Sequence, residues 1–333
     1  MTTDKGKRGV LRKKALVCAV ALGVFAALLL VAEGAARLFC PHINSQGTQR
    51  SLLREGAFGE TIGWQPNGRG LAFGETVEID ERGFRRLNSP AQSDEAWLLL
   101  GDSVTFGVGV PVEQTFAGRL QAAHPRVRIW NTAVIGYSIE DYAAVLADFQ
   151  RRKEPIAKVI LFLCLNDGYR RMTLTDNATP LLRCTRWLGE RSKFYLLIKD
   201  AFFDRSHSYF EFIEPHYHTG APEWARLKSG LEEIKHRCRE SGWDLRVVVL
   251  PYEYQVRRHD TNLLGPQTVL GQLLETNAVA TLDVTPAFAA QGREKRPLFL
   301  HADAMHLSSA GHELVFGKVE KWLGEPGKQS KGE

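Results

Sequence analysis

The chain has 333 residues, of which 44% are hydrophobic and 24% are charged, and this composition excludes a generally disordered protein. Its length allows one large α/β domain with accessory segments. The formal net charge is +5, much of it at the termini, and no basic patch interleaved with aromatic residues occurs elsewhere, so we expect no nucleic-acid partner.

The N-terminal segment predicts a membrane anchor. A basic stretch at 1–14 precedes an uninterrupted apolar run at 15–32. The run reaches the lower length limit of a transmembrane helix and exceeds the usual apolar region of a signal peptide. Because flanking positive charge stays in the cytoplasm, we expect a single-pass signal anchor at 15–39 in the inner (cytoplasmic) membrane, with the remainder periplasmic or extracellular. A signal peptide cleaved near Gly34 is the main alternative, and a buried core helix is the other.

A small β-rich region is predicted between this anchor and the main domain, at residues 40–94. Segment 76–80 alternates in polarity as a strand does, and the residues at 63–67 and 81–83 are typical of turns. We expect this region to pack on the main domain rather than to bind substrate.

The main domain, at 95–325, is predicted to alternate strands and helices. Strands that are separated by helices indicate parallel βαβ units and a doubly wound parallel sheet. A polar tail follows at 326–333. The predicted strands are 96–100, 127–131, 157–163, 244–250 and 279–283, and the predicted helices are 114–124, 139–152, 223–241, 266–276 and 308–323.

The first predicted strand of this domain ends in the tripeptide Gly101-Asp102-Ser103. Bulky apolar residues that end in a small-residue turn are typical of a buried parallel strand. A serine at that corner projects its hydroxyl at the carboxyl edge of the sheet, where open α/β folds place ligands. Ser103 is therefore a candidate nucleophile. The alternative is an ordinary turn or helix cap.

Two later strands also end in residues suited to acyl chemistry. Gly136 follows the strand at 127–131 and lets a backbone N–H approach a substrate without a side chain in the way. Asn166 follows the strand at 157–163, and an amide there can donate to a developing oxyanion. A simple turn is the alternative at both positions.

Residues 168–221 interrupt the alternation and form a predicted insertion. The segment is too long for an ordinary connection and is rich in aromatic residues, with a helix-like stretch at 191–203. Its place directly after Asn166 predicts a lid or a wall of the substrate pocket. Most of its aromatics are expected to pack on the core. Four arginines in it suit either an anionic group or solvent: Arg170, Arg171, Arg183 and Arg186.

The candidate base lies near the C-terminus. A serine hydroxyl needs an adjacent imidazole that a carboxylate orients. Asp303 and His306 are three residues apart, so in a turn the carboxylate can reach the imidazole Nδ1 while Nε2 faces outward. A solvated loop is the alternative for this pair.

Taken together, the Ser, Gly, Asn and Asp-x-x-His blocks resemble, in type and order, the SGNH/GDSL hydrolase superfamily over residues 95–323. The resemblance implies a flavodoxin-like three-layer α/β/α sandwich. It implies Ser103 as nucleophile, His306 as general base and Asp303 as its orienting carboxylate. It also implies an oxyanion hole formed by the backbone N–H groups of Ser103 and Gly136 and the side-chain amide of Asn166. The chain departs from the pattern at Cys164, where the family has a glycine.

The resemblance and the anchor together imply a membrane-anchored, extracytoplasmic serine esterase that acts on acyl esters, such as O-acyl groups of a cell-envelope or secreted polysaccharide. No cofactor and no metal are expected, since no metal-ligand spacing of His and Cys occurs. Two alternatives stay open. One is an O-acyltransferase that uses the same triad on a glycan, and the other is a non-catalytic scaffold of an envelope assembly.

Overall fold

The computed structural model describes residues 3–88, 93, 95–170, 179–291 and 297–325, with side chains from residue 12 onward. The predicted tail 326–333 lies outside this range. So do parts of the other predicted segments, namely 1–2, 89–92, 94, 171–178 (which includes Arg171) and 292–296. Nine strands are found in the described residues: β1 Leu53–Arg54, β2 Gly63–Trp64, β3 Arg69–Ala72, β4 Glu75–Glu78, β5 Glu95–Leu100, β6 Val127–Asn131, β7 Lys158–Leu163, β8 Asp244–Val249 and β9 Ala280–Asp283.

The α-helices of the described residues begin with one long N-terminal helix and otherwise lie around the sheet or in the insertion. They are α1 Thr3–Phe39, α2 Ser103–Phe106, α3 Phe116–Ala123, α4 Ile139–Arg151, α5 Pro180–Arg191, α6 Lys193–Phe202, α7 Arg205–Ile213, α8 Pro222–Ser241, α9 Glu253–Arg258, α10 Gly265–Thr276, α11 Thr285–Gln291 and α12 Ser309–Gly324.

The main sheet is parallel, in the order β6-β5-β7-β8-β9. This is the flavodoxin-like order, so the predicted fold class is confirmed. The chain passes from β5 to β6 on one side and returns to β7 on the other, which opens a crevice at the carboxyl ends of β5 and β7. Ser103 follows β5 and Asn166 follows β7. The topology therefore places both predicted residues at the switch point of the sheet.

Both faces of the sheet are buried, which explains why its strands are continuous apolar runs. In β5, Leu98 and Leu100 pack into one core together with residues of α4 and α8. The intervening Trp97 and Leu99 pack into the other core, against residues of α3 and α12. Alternation along one strand thus fills two layers of side chains and gives the three-layer sandwich.

The insertion contains more helix than the predicted stretch at 191–203. It forms α5, α6 and α7, whose N-termini are capped by the side chains of Thr179, Ser192 and Asp204. Pro180 occupies the first turn of α5, where its missing N–H has no cost. Capping residues therefore divide the segment into three short helices. The apolar pattern of the sequence predicted only the middle one, α6.

The β-rich region packs into the main core. The hairpins β1–β2 and β3–β4 are antiparallel. The Trp64 indole stacks on Phe106 with ring centroids 4.3 Å apart, and its Nε1–H donates to the carbonyl of Ala133 at 2.9 Å. The region therefore contacts the segments that follow both β5 and β6, close to the switch point.

Helix α1 includes the predicted anchor segment. In the helical residues Arg12–Phe39, an 18-residue window has a mean hydropathy of 2.9, and none of that window is buried. The helix is thus long and apolar enough to cross a membrane, a property that a signal sequence near the N-terminus shares.

Candidate active site

Ser103 begins the short helix α2 directly after the turn at the end of β5. Asp102 caps this helix, because its Oδ1 accepts the Val104 N–H at 2.9 Å. Gly101 is required by packing, since a Cβ there would lie 2.0 Å from Thr105 Oγ1. Asp102 is thus a helix cap, as the alternative interpretation had it, and this cap holds Ser103 at the sheet edge with 5% of its surface exposed.

The structure brings Ser103, His306 and Asp303 together in one hydrogen-bonded chain. His306 Nε2 lies 2.8 Å from Ser103 Oγ, and His306 Nδ1 lies 2.9 Å from Asp303 Oδ1. The same carboxylate oxygen accepts the backbone N–H groups of Met305 at 3.0 Å and His306 at 2.9 Å. These bonds fix the carboxylate in the turn. An imidazole held in this way can take the proton of a serine hydroxyl as it attacks a carbonyl.

Arg205 completes the surroundings of Asp303. Its Nη1 lies 3.6 Å from Asp303 Oδ2, the oxygen that faces away from His306. Burial alone would raise the pKa of Asp303, but the charge and hydrogen bond of His306 and the charge of Arg205 outweigh it and hold the pKa below its usual range. The carboxylate therefore stays ionised across the pH range in which an imidazole titrates.

The predicted oxyanion donors lie on three segments, which follow β5, β6 and β7. Gly136 has φ of +78°, a left-handed conformation that favours glycine, and it lines a cavity together with Asn166. The Tyr252 hydroxyl donates to Asn166 Oδ1 at 2.9 Å and so orients the amide. Burial raises the pKa of Tyr252 well above its usual value, which keeps this donor protonated. The third donor, the Ser103 N–H, lies in the first turn of α2, where N–H groups have no helical partner.

Cys164, the departure from the family pattern, is buried directly after β7. Its thiol lies 3.6 Å from Asp102 Oδ1, and its backbone N–H donates to Asp167 Oδ2 at 2.9 Å. Burial, and then the nearby charges of Asp102 and Asp167, raise the pKa of this thiol well above its usual value. Cys164 is therefore a protonated donor to Asp102, the cap of α2.

Two residues of the β-rich region support the site, and sequence reasoning missed both. The Phe73 ring lies 4.8 Å from the His306 ring, centroid to centroid. The buried Arg85 guanidinium donates to the carbonyls of Phe106, Gly107 and Val110, at the end of α2 and in the loop after it. No local motif marks these residues, because their contacts exist only once this region has folded against the domain. Turn geometry gives one signal for Phe73, which precedes Gly74 at the tip of a hairpin.

A cavity of about 220 Å³ adjoins the oxyanion candidates. Gly136 and Asn166 form one side, and Tyr209 and Phe212 of α7 form another, together with Arg170 of the insertion. The volume is below the roughly 300–1,000 Å³ of pockets for drug-sized ligands, so the cavity suits a small group. A larger cavity of about 610 Å³ borders Asp303 and Arg205, but neither Ser103 nor His306 lines it. Ser103 and His306 do not line the smaller cavity either, but Gly136 and Asn166 do, so it is the smaller cavity that borders the predicted oxyanion donors.

Comparison with known proteins finds one matching family and several similar solved structures. The GDSL-like lipase/acylhydrolase family matches residues 99–314. Among solved structures, TesA is 18% identical, with a TM-score of 0.43, over 69% of this chain and 98% of that one. A catalytic mutant of the acetylxylan esterase Axe2 from Geobacillus stearothermophilus is also 18% identical, with a TM-score of 0.43, over 71% and 96%. A lipolytic G-D-S-L protein from Veillonella parvula is 12% identical, with a TM-score of 0.43, over 70% and 100%. No curated protein matches the chain.

Proposed function

We propose that this chain, which belongs to the GDSL-like lipase/acylhydrolase family, is a serine carboxylic ester hydrolase with Ser103 as its nucleophile. The observation that carries the proposal is the hydrogen-bonded chain from Ser103 Oγ through His306 to Asp303. A helix cap or a solvated loop alone gives no reason for three buried polar side chains to meet at the carboxyl edge of the sheet. A nucleophile, a base and an orienting carboxylate account for all three.

In the proposed reaction, Ser103 Oγ attacks the ester carbonyl while His306 Nε2 accepts the hydroxyl proton. Asp303 stabilises the imidazolium that forms. The N–H groups of Ser103 and Gly136 and the amide of Asn166 donate to the oxyanion of the tetrahedral intermediate, and one such donor contributes about 3–4 kcal/mol in acyl transfer. The imidazolium then protonates the leaving alcohol. Water attacks the acyl-enzyme in a second step that regenerates Ser103.

The proposed location is the outer face of the inner (cytoplasmic) membrane, with α1 as an uncleaved single-pass anchor and the hydrolase domain periplasmic or extracellular. Support comes from the length and hydropathy of Arg12–Phe39 and from the basic residues before it. An esterase tethered there meets the glycans of the envelope, and the small cavity next to Gly136 suits a short acyl group. The proposed substrates are therefore O-acyl groups, above all acetyl groups, of a cell-envelope or secreted polysaccharide.

A survey of esters tests this assignment. The detergent-solubilised full chain is expected to hydrolyse acetyl esters, both activated aryl acetates and acetylated oligosaccharides, at least tenfold faster in kcat/KM than long-chain esters. The reason is the volume of the cavity, about 220 Å³, because an acetyl group fits there whereas a long acyl chain would have to bend out of it or displace the side chains that line it. Release of free acetate is measured against transfer of acetyl to an added oligosaccharide. Predominant transfer would replace the hydrolase assignment by an acyltransferase, and inactivity on every ester would favour a scaffold.

The topology gives a second prediction. A reporter fused at the C-terminus is expected to be active only in a form that requires export, because the basic flank holds the N-terminus in the cytoplasm. Truncation and fusion at Lys14, before the apolar run, supplies the control and is expected to report the cytoplasm. The mass of the purified full-length product then separates an anchor from a signal peptide. A product that begins near Gly34 would contradict the anchor.

A further inference from the structure

The end of α1 is bound to the insertion through one carboxylate. Glu33 accepts hydrogen bonds from the Ser192 hydroxyl at 2.8 Å and from the backbone N–H groups of Lys193 at 3.2 Å and Phe194 at 3.1 Å. These N–H groups belong to the first turn of α6, which lacks helical partners and favours negative charge. Glu33 thus caps α6 from a distant part of the sequence.

Arg37, one turn further along α1, reinforces this contact. Its Nε donates to Glu33 Oε1, and its Nη2 donates to the carbonyl of Arg191, both at 2.6 Å. The ammonium group of Lys193 donates to the carbonyls of Cys40 and Pro41. The junction between α5 and α6 is therefore held at the end of α1 by contacts from both sides.

These contacts determine the depth of the first turn of α6 relative to a membrane. Glu33 directly follows the apolar run at 15–32, whose 18 residues span about 27 Å as a helix. That length is close to the roughly 30 Å of a bilayer's hydrocarbon core. If the run crosses the bilayer, Glu33 lies at the boundary between hydrocarbon and headgroups, and so does the first turn of α6.

Helices α5 and α6 also expose several large apolar side chains, which a domain surrounded by water would bury. Phe202 is 87% exposed, and it lies one turn after Ile198, which is 43% exposed, on the same side of α6. Trp187 on α5 is 52% exposed. The two helices also carry five basic residues against two acidic ones: Arg183, Arg186, Arg191, Lys193 and Lys199 against Glu190 and Asp200.

We propose that α5 and α6 lie on the outer surface of the bilayer that α1 crosses, with Phe202 and Trp187 among the lipid headgroups. The inference rests on the membrane anchor of the proposed function. We choose a lipid surface as the partner of the exposed side chains of α5 and α6, because the first turn of α6 is bound to the end of α1, a helix long enough to cross a membrane. Aromatic side chains favour the headgroup level, and basic side chains favour anionic lipids.

This placement brings the candidate active site to the membrane. After α6 the chain enters α7 within three residues, and α7 supplies Arg205 beside Asp303 and Tyr209 in the wall of the small cavity. On the other side of the contact, the Gln46 amide donates to the carbonyl of Ala302 at 3.4 Å, next to the Asp303 turn. The candidate site is thus connected to the membrane contact through α7 and through Gln46, and of the proposed substrates this favours the acyl esters of the cell envelope over those of a secreted polysaccharide.

Fluorescence quenching in reconstituted vesicles tests the proposal. The full chain and its Phe202→Trp variant are placed in vesicles of phosphatidylglycerol and phosphatidylcholine whose acyl chains are brominated either near the headgroup or near the methyl end. Because the chain has seven native tryptophans, the signal is the difference between variant and wild type. We expect the added fluorescence to be blue-shifted and to be lost more strongly with bromine near the headgroup.

The matched control is Glu240→Trp. Glu240 lies in the last turn of α8, before β8, and so at the amino edge of the sheet, roughly 20 Å from its carboxyl edge for a strand of six residues. Its added fluorescence is expected to be unquenched by either lipid. Circular dichroism checks that both variants keep the fold. Since both positions are on exposed helix surface, we expect no change in the spectra.

The possible results separate this proposal from the one on which it rests. If the Phe202→Trp signal is unquenched while the chain resists extraction by alkaline carbonate, the surface contact is wrong and the anchor stands. If carbonate removes the chain from the vesicles, the anchor and the surface contact are both wrong. If quenching occurs as expected but the wild type hydrolyses no ester, the surface contact stands and the catalytic proposal fails.

Discussion

The Ser103→Ala variant is expected to lose ester hydrolysis. In the wild type His306 Nε2 lies 2.8 Å from the Ser103 hydroxyl, whose proton it would accept, and the variant lacks this hydroxyl. Loss of the nucleophile of a comparable triad lowers kcat by about 10⁶-fold. The fold is expected to persist, since alanine leaves the backbone of α2 and its Asp102 cap unchanged. The measurement is the rate of release of acetate from an aryl acetate by the purified full chain.

Covalent labelling supplies the control for this prediction. A serine-directed fluorophosphonate is expected to modify Ser103 in the wild type and in Ser241→Ala, and to leave Ser103→Ala unmodified. Ser241 ends α8, away from the site, so its loss removes one serine without touching the triad. Full activity in Ser103→Ala, or a label found on another serine, would show that the triad assignment is wrong.

The strands of the sheet could be predicted from the sequence because their apolar residues are the ones that are buried. β5 and β7 are apolar runs that are buried on both faces, as central strands of a parallel sheet are. The three-residue spacing of Asp303 and His306 encodes a local turn, which the structure realises with two backbone hydrogen bonds to one carboxylate oxygen. The geometry of such a turn depends only on neighbouring residues, so the local sequence is enough to predict it.

The surroundings of the site were not predictable in the same way. Arg205 lies in the insertion, and Arg85 lies before the domain, so neither is near a motif in the sequence. Tyr252 gave a weak topological signal, since it comes shortly after β8 at the same edge of the sheet as Ser103. Helices α9 and α11 were missed because six or seven residues are too few to show a helical period. Contacts between distant segments require the tertiary structure.

Our second main prediction is that Asp303→Asn lowers kcat by about 10⁴-fold, as the equivalent change does in a serine protease triad. The structure gives the physical reason. If the new amide oxygen takes the place of Oδ1, the NH₂ group faces the Arg205 guanidinium across about the 3.6 Å that now separates Oδ2 from Nη1. If the amide is reversed, NH₂ faces the backbone N–H groups of Met305 and His306. In both orientations a donor meets a donor.

The pH profile distinguishes this loss from general damage to the fold. In the wild type the pKa of Asp303 lies below its usual range, so this carboxylate stays negatively charged through the acidic limb of kcat/KM. A negative carboxylate favours the protonated imidazole. The Asp303→Asn variant lacks this negative charge, so we expect the acidic limb of its kcat/KM to move to lower pH.

The control for the carboxylate is Asp283→Asn, at the end of β9. Asp283 also accepts a backbone N–H two residues on, from Thr285 at 2.8 Å, but it contacts no member of the triad. We expect its kcat and its acidic limb to match those of the wild type. An Asp303→Asn variant that keeps kcat within tenfold of the wild type would mean that Asp303 only shapes the turn. A large loss of kcat without movement of the acidic limb would mean that the carboxylate does not act through the charge of His306.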